Sequence, residues 1–190
     1  AADRIDNDFL KRYTNAPQLV VPDGGERDGL VAFDPAAGPP GDGRNPHNKL
    51  AWDKASGTVV AAYPQGVEEG RDLALEGRYT LADGTQVAPS FQLLRERVAT
   101  CTPDWAAAIT GIPAARIRKL ALEMGETALT QAFELPIPWT DAWGKQHATT
   151  QARPVAFHAM RGLAAHSNGF QTVRALAVLM SVLGTIDRPG

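Results

Sequence analysis

"FHAMRGLAAHSNGFQTVRALAVLMSVLG", Phe157 to Gly184, is the stretch whose reading decides the fold. The apolar run at 154–160 is strand-like, a turn follows, and a helix is predicted over about 170–183. Gly184 then supplies a residue suited to a helix C-terminus. Gln171 and Arg174 are the main polar positions on that helix, so its all-round apolar surface predicts burial. A parallel βα unit beneath further layers accounts for both features. The expectation is therefore α/β: a partial parallel-sheet βα layer.

The turn itself holds Arg161, His166, Ser167 and Asn168 between Gly162 and Gly169. A strand–turn–helix brings the free N–H groups of the first helical turn to the strand's carboxyl end, which suits a phosphate or another anion. Gly162 and Gly169 permit close backbone approach, His166 and Asn168 add donors, and Arg161 adds a fixed positive charge. A second reading stays open from the residues alone. In it the turn is a plain βα loop, with Asn168 capping the helix and His166 satisfied by backbone.

Upstream, "PDWAAAITGIPAARIRKL" predicts a helix pair. Thr102-Pro103-Asp104 opens the first helix with a capping hydroxyl, a proline and an acid. Gly111 interrupts it, and Pro113 opens a second helix through Met124. Ala107, Gly111, Ile117 and Leu120 have helix-turn-helix spacing, with Ile117 and Leu120 sealing the angle and Arg116, Arg118 and Lys119 outward. Any tight αα corner needs the same spacing, however. Residues 91–126 hold five Lys/Arg against four Asp/Glu, a local +1 that argues against phosphate-backbone binding.

Further out the order is less regular. A helix tail is expected over 4–14, a short strand at 18–21, and a Pro/Gly-rich surface excursion at 35–48. A strand follows at 58–63, then a hairpin over 77–87 that pivots on Asp83-Gly84. Ser90 is placed to N-cap a helix over about 91–99. His47, His147, His158 and His166 lack metal-ligand spacing, so no metal is assigned to them. His158 is expected in the core or a second layer, Trp105 in the helix corner, and Trp139 and Trp143 as packing residues. Cys101 has no partner base in the sequence pattern.

The whole chain has 190 residues, 44% apolar and 21% charged, with a net charge of −2. Those values are ordinary for a globular domain and give no electrostatic reason to expect nucleic acid. One cysteine excludes an internal disulfide and a CxxC pair. The chain starts without Met and stops just after an apolar helix, and the expectation is a part excised from a larger multidomain enzyme.

Two motifs in this order resemble the molybdopterin oxidoreductases of the dimethyl sulfoxide reductase superfamily. The resemblance is carried by Thr102 to Trp105, Thr110-Gly111-Ile112-Pro113, His166-Ser167-Asn168-Gly169, Leu183-Gly184 and Pro189-Gly190, with "DNDFLKRYTNAP" upstream. "LAWDKASG" and "AHSNGFQT" look most like catalytic subunits acting on sulfur or arsenic oxyanions, nearest to sulfite-oxidising and thiosulfate- or polysulfide-reducing types.

The resemblance implies a molybdenum bis(molybdopterin guanine dinucleotide) cofactor and an iron–sulfur cluster in the intact parent, with neither held by this chain alone. It implies that Arg161, Gly162, His166, Ser167, Asn168 and Gly169 bind the cofactor, with no catalytic residue and no metal ligand here. Residues 1–89 become a linker and insertion region, and 90–190 part of the cofactor-binding α/β domain. The implied partners are the rest of the catalytic subunit, an electron-transfer iron–sulfur subunit together with a membrane anchor subunit, and no nucleic acid. Location is read as cytoplasmic, with periplasmic export the alternative. A helix-turn-helix DNA-binding module and a non-catalytic structural domain are the competing readings.

Overall fold

The computed structural model describes residues 4–34, 49–62, 70–141 and 144–188. The stretch 35–48, Trp143 and Pro189-Gly190 lie outside them. The chain forms two compact units, one of residues 10–102 and one of residues 1–9 with 103–190. The first helix, α1 (Asn7–Tyr13), contains the division.

In the 10–102 unit the strands are β1 (Leu19–Val20), β2 (Leu50–Asp53), β3 (Thr58–Ala61), β4 (Tyr79–Thr80) and β5 (Gln86–Pro89). All pair antiparallel, β1-β5-β4 in one sheet and β2-β3 in another. Leu19, Val21, Ala32 and Val87 form its core, and Trp52 stacks on Tyr79 at 4.5 Å. Burying this aliphatic and aromatic surface supplies the main driving force for the unit.

Asp53 is buried at the end of β2 and organises the turn that follows. Its carboxylate accepts from the N–H of Asp72 at 2.8 Å, the N–H of Ala55 at 3.1 Å, and the N–H and Oγ of Ser56. These donors favour the charged form, and the Asp72 N–H leads in holding Asp53 below the ordinary carboxylate range. Asp72 is also held low, first by Lys11 and then by Lys54, which donate to its two oxygens.

The hairpin expected at Asp83-Gly84 forms, but with a three-residue loop. Leu81 donates to the Thr85 carbonyl at 2.9 Å, and Gly84 takes the left-handed conformation at φ 84°. The helix α2 (Ser90–Val98) follows β5 directly. Ser90 does not cap it. Its hydroxyl donates instead to the carbonyls of Asn15 and Ala16, a tertiary partner that outcompetes the local cap.

The second unit holds the expected helix pair. Here α3 (Pro103–Thr110) has Pro103 first and Asp104 in its first turn, and α4 (Ala114–Thr130) follows a corner with Gly111 at φ 73°. The helix α4 runs past Met124 to Thr130, and Gly125 within it sits where a Cβ would come within 2.8 Å of the Arg4 Cβ. A close approach, rather than a helix end, explains that glycine. Leu120 is exposed and does not seal the angle, and Trp105 is exposed rather than tucked into the corner.

Beyond α4 the chain folds into two nested antiparallel ladders. The outer tier pairs β6 (Phe133–Leu135) with β9 (Thr150–Ala152), and the inner tier pairs β7 (Trp139–Thr140) with β8 (Gln146–His147). The expected parallel layer is not formed: every strand pairing among the described residues is antiparallel, and 153–160 form no strand. Pro154 lacks an N–H for a ladder, and the N–H of Val155 closes a tight turn onto the Arg153 carbonyl at 2.8 Å.

The last helix, α5 (Gly169–Leu183), ends at Gly184 as expected, with φ 63°. Its C-terminal end is held by Asp6, whose N–H donates to the Val182 carbonyl at 2.8 Å. The burial predicted along its length is not observed, since only Gly169 and Leu183 are buried.

Candidate functional site

The loop before α5 begins with a single 3-10 turn, Arg161–Leu163, and closes on Asn168. Arg161, Gly162, His166, Ser167 and Asn168 are all exposed, and Gly169 is buried. Gly169 has a definite reason to be glycine. A Cβ there would lie 2.0 Å from the Ala164 carbonyl oxygen, so the loop can close on itself only without a side chain. Gly162 has open space around it.

The imidazole of His166 is oriented by the backbone. The N–H of Asn168 donates to His166 Nδ1 at 3.2 Å, which makes Nδ1 the acceptor and leaves the hydrogen on Nε2. The His166 carbonyl accepts from the Gly169 N–H at 2.9 Å. Asn168 makes no side-chain cap bond, so its amide is not spent on the helix. Arg161 has no partner for its guanidinium among the described residues. The loop therefore presents a guanidinium, an imidazole Nε2–H and a carboxamide together with the first turn of a fifteen-residue helix.

Charge along this part of the sequence is one-sided. From residue 142 to residue 186 the sequence contains no Asp or Glu, yet it contains Lys145, Arg153, Arg161 and Arg174. Elsewhere in the unit Arg153 is spoken for: it is buried, donates to Asp6 and gives a 2.8 Å bond to the Ala128 carbonyl. His158, expected inside, is exposed, because the strand that would have carried it inward is absent.

A second constellation is invisible in the sequence pattern. The inner ladder brings Trp139, Asp141 and His147 together. The Asp141 side chain is 2% exposed and bonds His147 Nε2 at 3.0 Å, while its other oxygen accepts from the Lys145 N–H at 2.9 Å. His147 stacks on Trp139 at 4.4 Å and 15°, and the Trp139 Nε1–H donates to the Thr149 carbonyl. Spacing rules for metal ligands do not reveal this pairing, because it is a carboxylate–imidazole contact across a turn. No group of three or more potential metal ligands occurs among the described residues.

The cations of the helix pair have local partners in two cases. Arg118 is bonded to Asp104, and Lys119 pairs with Glu123 at 3.7 Å. Cys101 is exposed.

Comparison with known proteins places the chain among its relatives. The chain is 55% identical over 186 residues, 98% of its length, to a sulfite dehydrogenase subunit from Allochromatium vinosum. It is 34% identical over 127 residues, 60% of the chain, to the alpha subunit of perchlorate reductase from Dechloromonas aromatica. The chain belongs to the molybdopterin oxidoreductases. It is also 35% identical over 89 residues, 47% of the chain, to an Escherichia coli protein named "Probable dimethyl sulfoxide reductase chain YnfF". It spans 19%, 13% and 8% of the lengths of these three relatives. No family model matches it.

Proposed function

We propose that this chain is part of the catalytic subunit of a molybdenum bis(molybdopterin guanine dinucleotide) oxidoreductase that acts on a sulfur oxyanion, with sulfite the first substrate to test. The 55% identity along 98% of the chain to a sulfite dehydrogenase subunit carries this reading.

The donor set of the 161–169 loop fits such a cofactor. Its phosphates and pterin rings are rich in acceptors, and a buried cleft leaves no water to satisfy them. Arg161 supplies the fixed charge, His166 a directed Nε2–H, and Asn168 and Ser167 further polar groups. Gly169 lets the loop close and Gly162 leaves room for approach. When bound, the molybdenum centre supplies the two-electron redox chemistry. The side chains of the loop bind and orient, and none is cast as nucleophile or metal ligand.

In this proposal residues 90–190 contribute to the cofactor-binding domain, and the chain alone is inactive. The partners are the rest of the catalytic subunit, an iron–sulfur electron-transfer subunit together with a membrane anchor subunit, on the cytoplasmic side. The deciding experiment uses the intact protein. Molybdenum content by mass spectrometry and sulfite-dependent reduction of an artificial acceptor are compared between the natural protein and His166→Ala. Unchanged turnover together with unchanged cofactor content would remove the loop from the site, and a natural protein with neither molybdenum nor sulfite oxidation would remove the reading itself.

A further inference from the structure

We infer that Asn168 is a site of spontaneous deamidation, that the closed form of the 161–169 loop holds the reaction back, and that its product blocks anion binding by the loop. Asn168-Gly169 is the single Asn-Gly pair in the 190-residue sequence. An asparagine before glycine is open to attack by its own main chain, because glycine puts no side chain beside the attacking nitrogen. The Gly169 nitrogen, once deprotonated, attacks the Asn168 Cγ. A nitrogen–carbon bond forms, the Cγ–Nδ2 bond breaks, and ammonia leaves. Water then opens the five-membered imide at either carbonyl and gives aspartate or isoaspartate at position 168. The step involves no oxidant or reductant.

The fold itself fixes the reactive pair. A Cβ at position 169 would lie 2.0 Å from the Ala164 carbonyl oxygen, so a bulkier and slower neighbour cannot replace the glycine. Asn168 is exposed and its carboxamide makes no cap bond to α5, so water reaches the amide carbon. The restraint lies in the backbone. At ψ 11° the Gly169 nitrogen is nearly eclipsed with the Asn168 nitrogen, which turns it away from Cγ. The Gly169 N–H donates to the His166 carbonyl at 2.9 Å, which opposes its deprotonation. The Asn168 N–H donates to His166 Nδ1 at 3.2 Å, so both residues of the pair are tied to His166. Ring closure requires rotation about the Asn168 ψ, which breaks the Gly169–His166 bond and unseats the first residue of α5. Deamidation therefore follows opening of the loop.

The two products differ in what they disturb. Aspartate suits a helix N-terminus as well as asparagine does, so the fold keeps it. Its carboxylate, however, lies in the same loop as Arg161 and His166 and competes there with an incoming anion. Isoaspartate adds a carbon to the main chain and cannot keep the Gly169–His166 bond. The blocking effect rests on the reading of the loop as a cofactor site, whereas the deamidation step does not.

The test is peptide mapping of the intact protein after incubation at mildly alkaline pH, native and in urea. It follows the mass gain of amide hydrolysis in the tryptic peptide of residues 162–174. Asn168 is expected to convert in urea, and at least about tenfold more slowly in the native protein, because reaction requires opening. Equal rates overturn the restraint, and no conversion in urea overturns the site. A gain that persists in Asn168→Gln belongs to Gln171 and also overturns the site. Asn168→Asp is expected to melt with the natural protein yet hold less molybdenum, and unchanged molybdenum overturns the blocking effect. Equal rates in a protein that oxidises sulfite leave the proposed function standing and remove only the restraint. A native–urea contrast in a protein without molybdenum keeps the site and its restraint, and removes the proposed function together with the blocking effect.

Discussion

The Asp6 carboxylate receives the guanidinium of Arg153 from 147 residues away, and both side chains are buried. Asp6 uses its other oxygen to accept the Phe9 N–H at 2.9 Å, closing the first turn of α1. Arg153 spans to the Ala128 carbonyl at the end of α4. One ion pair thus ties together the first helix, the fourth helix and the outer hairpin ladder.

Removing one partner of that pair leaves the other charged and buried. Asp6→Ala or Arg153→Ala is expected to cost about 3–5 kcal/mol, whereas a matched apolar pair costs far less. Urea unfolding of the intact protein measures both, and the double variant tests coupling. Gly184→Ala strikes the same point, because its Cβ would meet Asp6 Oδ2 at 2.3 Å and its φ is 63°.

Acid acts on the other unit through Asp53 and Asp72. Their folded-state values are depressed, by the Asp72 N–H and by Lys11 respectively, so their stabilisation is complete above the unfolded value of about 3.9. It is lost as pH falls through the lower folded values. Unfolding free energy is therefore expected to drop below about pH 4, with a shallower drop in Asp53→Asn. Followed by tryptophan fluorescence, an identical slope in the two proteins contradicts the assignment.

For the loop, Gly169→Ala is the sharpest probe. Relieving a 2.0 Å approach to the Ala164 carbonyl requires backbone movement. A loss of about 1–3 kcal/mol is expected, together with lowered molybdenum content if the loop meets the cofactor. Gly162→Ala, with open space around it, is expected to leave stability within about 1 kcal/mol. Thermal melts and metal analysis of the two variants give the contrast.

At the inner hairpin, Asp141→Ala removes the acceptor of both His147 and the Lys145 N–H. The ladder is expected to loosen by about 1–3 kcal/mol. Hydrogen exchange over 139–147 is the readout, with faster exchange confined to that segment. Unchanged protection would mean that the Trp139–His147 stack holds the tip without the carboxylate.

Local chemistry is readable in the sequence wherever it acts within a few residues. Pro103 and Asp104 start a helix, Gly111 and Gly184 turn the chain at positive φ, and Asp83-Gly84 closes a hairpin. Expectations fail where a distant partner decides. Ser90 gives its hydroxyl to Asn15 and Ala16 rather than to its own helix, and Gly125 faces Arg4 rather than ending α4. The nested ladders of 133–152 have strands of two or three residues interrupted by Pro136, Pro138 and Gly144, too short to show alternation. The run at 154–160 has the composition of a buried strand, but an apolar run cannot supply the neighbour it must pair with. The donor loop is visible as residue types, while the tautomer of His166 needs the Asn168 N–H.

The contact between the Asp6 N–H and the Val182 carbonyl also sets an order of events during synthesis. As the chain leaves the ribosome, Asp6 emerges long before its partners Arg153 and Val182. At about 5–20 residues per second, the wait between Asp6 and Val182 is roughly 10–35 seconds. Among the described residues, the strands of 10–102 pair only with one another and can be complete by then. Asp6 stays without these two partners through that interval, so a nascent chain stalled before residue 153 leaves the carboxylate facing solvent with only its local bond from the Phe9 N–H.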